Sequence, residues 1–227
     1  MKKSTPSSLL ASSALPVLPV KDAAPPLRIQ SESEVFHERG GADFTVTESI
    51  AAVRATGDRV QFHTASVRNG KTGAVCIVER VEEGNESVFL IARHWRVSTK
   101  RWAWEFPRGM ADDDEIPAET AVREVLEETG LHDEGAQVTV LQHMHADTGV
   151  LRDDIAVSRM LLPRRADGPS AKTDWELTNM RWISADTIWR MIGAGEISDG
   201  ITLAAWAIYC ARFVDGDAGE SGMQSAM

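Results

Sequence analysis

Short runs of alternating apolar and polar positions fill the middle of the chain. They predict strands at Arg59–Ser66 and Ala74–Glu79, parted by the turn signal Asn69-Gly70. Ser87–Trp95 reads as a further strand after the turn-prone Glu83-Gly84-Asn85. Gln137–Met144, Ile155–Leu162 and a short Met180–Ile183 follow. A helical period replaces the alternation at about 117–129, 185–193 and 199–213, where the last stretch carries Ile201, Ala204, Ile208 and Ala211 at helical spacing. Strands and helices interleaved in this order predict an α/β fold, a mixed sheet with helices packed on its faces.

The ends lack such periodicity. Residues 1–45, rich in Ser, Pro, Ala and charge, read as a disordered leader, and 214–227 as a flexible tail. The single domain is therefore expected over 46–213. No run of 18 apolar residues occurs, and Ser, Thr and Pro interrupt the stretch after Met1-Lys2-Lys3, so neither a membrane span nor a signal peptide is expected. Cys76 and Cys210 lie far apart in apolar settings and read as core thiols, which suits a reducing cytoplasm. A formal charge of -10 argues against a nucleic-acid binder but leaves room for a phosphorylated small molecule, because a bound cation reverses the local sign.

The chemistry concentrates between Gly109 and Leu131. From Asp112 to Glu128 there are eight acidic residues and one basic residue, Arg123. Pro117 suits a first helical turn, Asp114 and Glu115 suit the positive end of a helix, and Gly130 suits a left-handed residue past its end. On the helical wheel Ala118, Ala121, Val122 and Val125 face the core, with Glu124, Glu127 and Glu128 grouped beside them. Carboxylates this close repel one another, and the Arg123–Glu127 pair offsets only part of that. A hard divalent cation such as Mg²⁺ accounts for the remainder, since it prefers oxygen ligands and bridges carboxylates to phosphates. A solvated amphipathic face would also explain the carboxylate spacing taken alone.

The complete pattern is more specific. Gly109, five residues, Glu115, seven residues, then Arg123-Glu124-Val125-Leu126-Glu127-Glu128-Thr129-Gly130-Leu131 matches all nine specified positions of the 23-residue Nudix signature GX5EX7REUXEEXGU, with U apolar. The chain is thereby identified as resembling the Nudix hydrolases. The resemblance implies a Nudix-type α/β/α sandwich with a mixed sheet. It implies Glu124 and Glu128 as principal ligands for Mg²⁺, which Mn²⁺ can replace, with Glu127 as a further ligand or catalytic carboxylate. The backbone carbonyl of Arg108 takes another ligand position, and Arg123 holds the glutamates in place. The implied reaction is hydrolysis of a diphosphate linkage, with a carboxylate outside the helix as general base.

Over roughly 45–213 the chain is most similar to the ADP-ribose pyrophosphatase group. Arg93-His94-Trp95-Arg96 followed by Trp104-Glu105-Phe106-Pro107-Arg108-Gly109 resembles that group's entry to the box. Asp147-Thr148-Gly149 and Gly195-Glu196-Ile197-Ser198-Asp199 resemble two of its later elements. The resemblance implies Arg93, Arg96 and Arg108 as substrate-binding residues and Glu176 as general base or further metal ligand, with Asp153, Asp154 and Asp174 as rivals; Trp102 joins the substrate-binding set as a candidate for stacking. ADP-ribose or a nucleoside diphosphate sugar would yield a nucleoside monophosphate and a sugar phosphate.

Other readings remain open. The Phe-Pro-Arg-Gly entry also resembles dinucleoside polyphosphate hydrolases, and a silent nucleotide-binding module is the alternative outside enzymes. Trp95, Trp102 and Trp104 suit base stacking or core packing alike. His143 and His145 read as plain strand alternation, and Lys71 and Lys172 as loop cations. A homodimer, with N-terminal strands reaching the partner, is permitted by the resemblance.

Overall fold

The computed structural model describes residues 22–82, 84–163 and 176–213. Residues 1–21, the tail 214–227, and Lys172 and Asp174 lie outside them. Ten strands and three α-helices follow in order among these residues: β1 Leu27–His37, β2 Thr45–Val53, β3 Arg59–Ser66, β4 Gly73–Val81, β5 Ser87–Arg96, β6 Arg101–Glu105, β7 Arg108–Gly109, α1 Pro117–Thr129, β8 Gln137–Met144, β9 Ile155–Leu162, β10 Leu177–Ser184, α2 Ala185–Gly193 and α3 Gly200–Phe213. No helix of the described residues is long and apolar enough to cross a membrane.

The main sheet runs β10-β5-β4-β9-β8, with β6 added to β5 and β7 to β4. It is mixed: β4 and β9 are parallel and the other pairings are antiparallel. Alternation along β4 decides its two faces. Ala74, Cys76 and Val78 meet Ala121 and Val125 of α1 on one side. Val75 and Ile77 meet Phe89, Ile188 of α2, and Trp206 and Tyr209 of α3 on the other. The expected sandwich is therefore present. Trp206 anchors its second layer, 1% exposed, stacked on Tyr209 and edge-on to Phe89. Both cysteines are free and buried.

Two expectations are corrected. Residues 27–37, placed by the sequence in the disordered leader, form β1, which pairs antiparallel with β2 in a separate sheet ordered β1-β2-β3. Apart from its two ends, β1 is exposed throughout. Its backbone bonds to β2, not an apolar face, hold it there, so no hydrophobic period marked it. The buried stripe of α1 is also rotated from the wheel's prediction. Thr120, Ala121, Val125 and Thr129 are buried, while Val122 is 37% exposed.

Candidate active site

α1 carries the site, and its sequence fixes both ends. Pro117 opens it, and the Glu119 carboxylate accepts from the Ile116 N–H at 3.1 Å. Gly130 closes it at φ 66°, its N–H bonding the Leu126 carbonyl at 2.8 Å. Ala121 and Val125 then clamp the helix to β4, which turns the charged face toward the end of β7.

Arg123 braces the acidic residues on that face. It pairs with both oxygens of Glu115, Nε to Oε1 at 2.8 Å and Nη2 to Oε2 at 2.9 Å. Nη1 donates to Glu124 at 2.9 Å and to Glu127 at 3.0 Å, and Nη2 also reaches the Met110 carbonyl at 2.7 Å. This guanidinium holds the Glu115 carboxyl down at about 2.

Glu124 and Glu128 rest against the Arg108–Gly109 backbone. The Glu124 carboxyl lies where a side chain at residue 109 would begin, so only glycine leaves it room. Glu128 Oε2 accepts from the Arg108 N–H at 3.3 Å. Burial first, and repulsion from Glu124 second, push the Glu128 carboxyl up to about 8. Among the described residues no lysine or arginine side chain forms an ion pair with Glu128, whose one such neighbour is His94 at 3.8 Å. The Glu127 carboxyl is largely exposed and flanks Glu124.

Among the described residues no three acidic, histidine or cysteine side chains converge into a closed metal cage. The donor set nevertheless suits a hard divalent cation. It offers carboxylate oxygens, those of the mostly buried Glu128 without a lysine or arginine partner among the described residues, beside a backbone segment rather than sulfur or imidazole clusters.

A cavity of about 600 Å³ meets this cluster at Arg108 and is lined among others by Arg96, Arg101, Trp102, Glu105 and Asp199. Glu105 is fully buried and organises it. Arg96 reaches both its oxygens, Nε to Oε1 at 2.9 Å and Nη2 to Oε2 at 2.5 Å, and Arg108 Nε adds a contact at 2.9 Å. Burial alone would raise the Glu105 carboxyl, but the two guanidinium groups hold it below its ordinary value. Arg108 also lies 3.5 Å from Asp199, whose carboxylate accepts from the Thr202 N–H at the start of α3.

The predicted substrate residues separate. Arg96, Arg108 and Trp102 line the cavity. Arg93 does not: its guanidinium lies over the Trp104 ring at 5.5 Å and donates to the Trp102 carbonyl. Residues three apart on a strand point to opposite faces, a signal already present in the sequence. Trp102 is 38% exposed, whereas Trp104 packs against the core. The Glu176 carbonyl accepts from the Trp95 N–H at 3.0 Å, which puts that residue at the end of β5. Asp153 is engaged by Ser66 and the Val67 N–H, and Asp154 by Thr72 and His143. Lys71 pairs with Asp113.

Sequence reasoning did not single out Glu105, Asp199 or His94. A glutamate between aromatics in Trp104-Glu105-Phe106 was the available sign of a buried charge requiring partners. His94 is 1% exposed, and its Nε2 has no hydrogen-bond partner, an arrangement worth about 1–3 kcal/mol of lost solvation. Burial pushes its imidazole down to about 4.

Comparisons with known proteins agree with the architecture. The NUDIX domain family matches residues 70–203. The chain is 38% identical over 86 residues to the CMP-5'-(N-acetyl-N-hydroxy-3-aminopropyl)phosphonate hydrolase of Streptomyces rubellomurinus, covering 37% of this chain and 38% of that protein. It is 40% identical over 95 residues to nucleoside diphosphate-linked moiety X motif 6 of Xenopus laevis, covering 41% and 40% respectively. The chain thus spans about two fifths of the length of these curated relatives. A crystal structure of an ADP compounds hydrolase superposes with a TM-score of 0.64 at 15% identity, over 87% of this chain and 98% of the other, a likeness of fold.

Proposed function

Because the chain belongs to the Nudix family, we propose that it is a hydrolase that cleaves the diphosphate linkage of a nucleoside diphosphate derivative with the help of Mg²⁺. The observation that carries this reading is the placement of Glu124 and Glu128 against the Arg108–Gly109 backbone, beside a cavity rimmed with arginine.

Glu124, Glu128 and the Arg108 carbonyl would hold the cation, with Glu127 at the rim. When bound it would neutralise charge on the diphosphate and favour deprotonation of the attacking water. The protein supplies the rest. Arg96 and Arg108, prevented by Glu105 from collapsing onto the glutamates, present guanidinium groups to phosphate oxygens. Trp102, 38% exposed and edge-on to Trp95, borders the same cavity and is the aromatic proposed to meet the base or sugar. Arg123 keeps Glu124 at its place without entering the chemistry. Glu176 takes the role of general base, accepting the proton of the attacking water.

The substrate proposed is ADP-ribose or a nucleoside diphosphate sugar, giving a nucleoside monophosphate and a sugar phosphate. The matched relative whose name specifies a CMP-linked phosphonate, and the structural neighbour titled for ADP compounds, are in keeping with a nucleotide joined to a second moiety. The test is a panel of nucleoside diphosphate compounds incubated with pure protein and Mg²⁺, products resolved by chromatography. AMP and ribose 5-phosphate from ADP-ribose, abolished by chelation and restored by Mg²⁺ or Mn²⁺, are expected. AMP with ATP or ADP from dinucleoside polyphosphates would replace the substrate assignment. Tight binding with no product from any compound would overturn the enzymatic reading.

A further inference from the structure

His94 is a buried polar side chain that none of the roles above uses. By strand alternation it projects from β5 to the same face as Arg96, between the sheet and α1. Four charged groups surround it: Glu105 from β6, Arg96 from its own strand, Arg108 from β7 and Glu128 from α1. The arginines are donors and offer Nε2 no acceptor. Both oxygens of Glu105 already accept from Arg96 or Arg108. Glu128 Oε2 lies 3.8 Å from Nε2 and carries one long bond, 3.3 Å from the Arg108 N–H, so it keeps accepting capacity toward the ring. That gap exceeds a hydrogen bond by roughly 1 Å, within reach of a small rotation of the glutamate side chain.

We propose that His94 is a positioning residue for the divalent cation: its Nε2–H donates to the facing oxygen of Glu128 and fixes the carboxylate so that its other oxygen is presented to the ion. The inference rests on Glu124 and Glu128 being the pair that holds the cation. An imidazole carries a proton on Nε2 in one neutral tautomer and in the imidazolium alike, so the role does not depend on the charge of the ring. Outer contacts of this kind orient a ligating group before the ion arrives, and their loss weakens metal affinity by about 10–100-fold.

A packing role and a positioning role separate in two variants. His94→Leu keeps most of the bulk and removes the donor. His94→Gln keeps an amide donor on a side chain of similar reach. Mn²⁺ binding to the full chain, followed by electron paramagnetic resonance with titration calorimetry, is the readout, with circular dichroism confirming the fold. The dissociation constant is expected to rise about 10-fold or more in His94→Leu and to return to within about threefold of wild type in His94→Gln. Equal affinity in wild type and folded His94→Leu overturns the proposal, as does His94→Gln binding as weakly as His94→Leu. If His94→Leu does not fold, His94→Asn, whose amide is too short to span the gap, takes its place under the same criterion. The underlying reading has its own control. If wild type binds no Mn²⁺, or Glu128→Gln binds it as wild type does, the assignment of the metal pair fails instead.

Discussion

Replacing Gly109 with alanine would strike the site while sparing the fold. A methyl group built there would overlap the Glu124 carboxyl, which would have to withdraw by roughly 1.5 Å to reach ordinary contact at ~3.5 Å. The obstacle is the far end of a flexible side chain, so the strand itself need not move. Gly109 is not among the positive-φ glycines, and alanine there carries no backbone strain. Removing a glycine from the unfolded chain stabilises by about 0.4–1 kcal/mol, and loosening the Glu124–Arg123 pair costs about 0.2–1 kcal/mol. These offset one another, so Tm should change by no more than about 3 °C. Function has no such compensation. A displacement near 1 Å at a group that holds the reacting assembly already costs about 10²-fold in rate. Thermal unfolding and Mg²⁺-dependent turnover of the purified variant measure the two sides. Wild-type turnover at unchanged Tm would show that the contact between Glu124 and Gly109 does not matter, and the metal-site argument would lose its main geometric support. A fall of 10 °C or so would show instead that Glu124 cannot move.

Three further outcomes are expected. Arg123→Met leaves Glu115, Glu124 and Glu127 without their shared guanidinium and should cost about 3 kcal/mol, a Tm fall of about 5–10 °C; a shift under about 2 °C contradicts the bracing role. Glu115, held at about 2, contributes stability that is complete above its ordinary value of 4.5 and is lost as pH falls through about 2. Allowing for water around this partly exposed pair, the contribution is about 2 kcal/mol, and Glu115→Gln should remove that share of the urea-midpoint difference between pH 7 and the acid limit. Glu128→Gln should lower kcat by ~10²-fold or more with the fold retained, read by single-turnover assay; near wild-type rates would take Glu128 out of the metal site.

What the sequence disclosed was local. Pro117, Gly130 and the spacing of Glu124, Glu127 and Glu128 lie within a few turns of one helix, so the extent of α1 and its charged face were readable from the chain alone. Strands β8 and β9 match their predicted bounds because Gly135 and Asp147 bracket one β-rich run and Asp154 and Pro163 the other. The features missed depend on contacts between distant residues. β1 buries no apolar face and exists through its register with β2. Glu105 gains its role only when β6 pairs with β5, bringing Arg96 within reach across the hairpin. Asp199 meets Arg108 only after α3 folds back toward β7. Arg93 differs again: the matched motif implies a substrate contact, and strand geometry turns it to the face opposite Arg96, over Trp104.

The same division explains where the site is paid for in stability. Arg123 compensates Glu115, Glu124 and Glu127, all neighbours on or next to its own helix. Glu128 and His94 receive no such partner, although both are among the more buried polar groups near the cleft. A fold shaped for stability alone would fill that position with a hydrophobic pair. Retaining a mostly buried carboxyl beside an unpaired imidazole is unfavourable in the free protein, and on the proposed reading a bound cation would offset that cost by supplying positive charge. It follows that a divalent ion should raise the unfolding midpoint in a concentration-dependent way, since it binds the folded chain and not the unfolded one. That gain should disappear in Glu128→Gln, while the Arg123 brace, built from other carboxylates, is left intact.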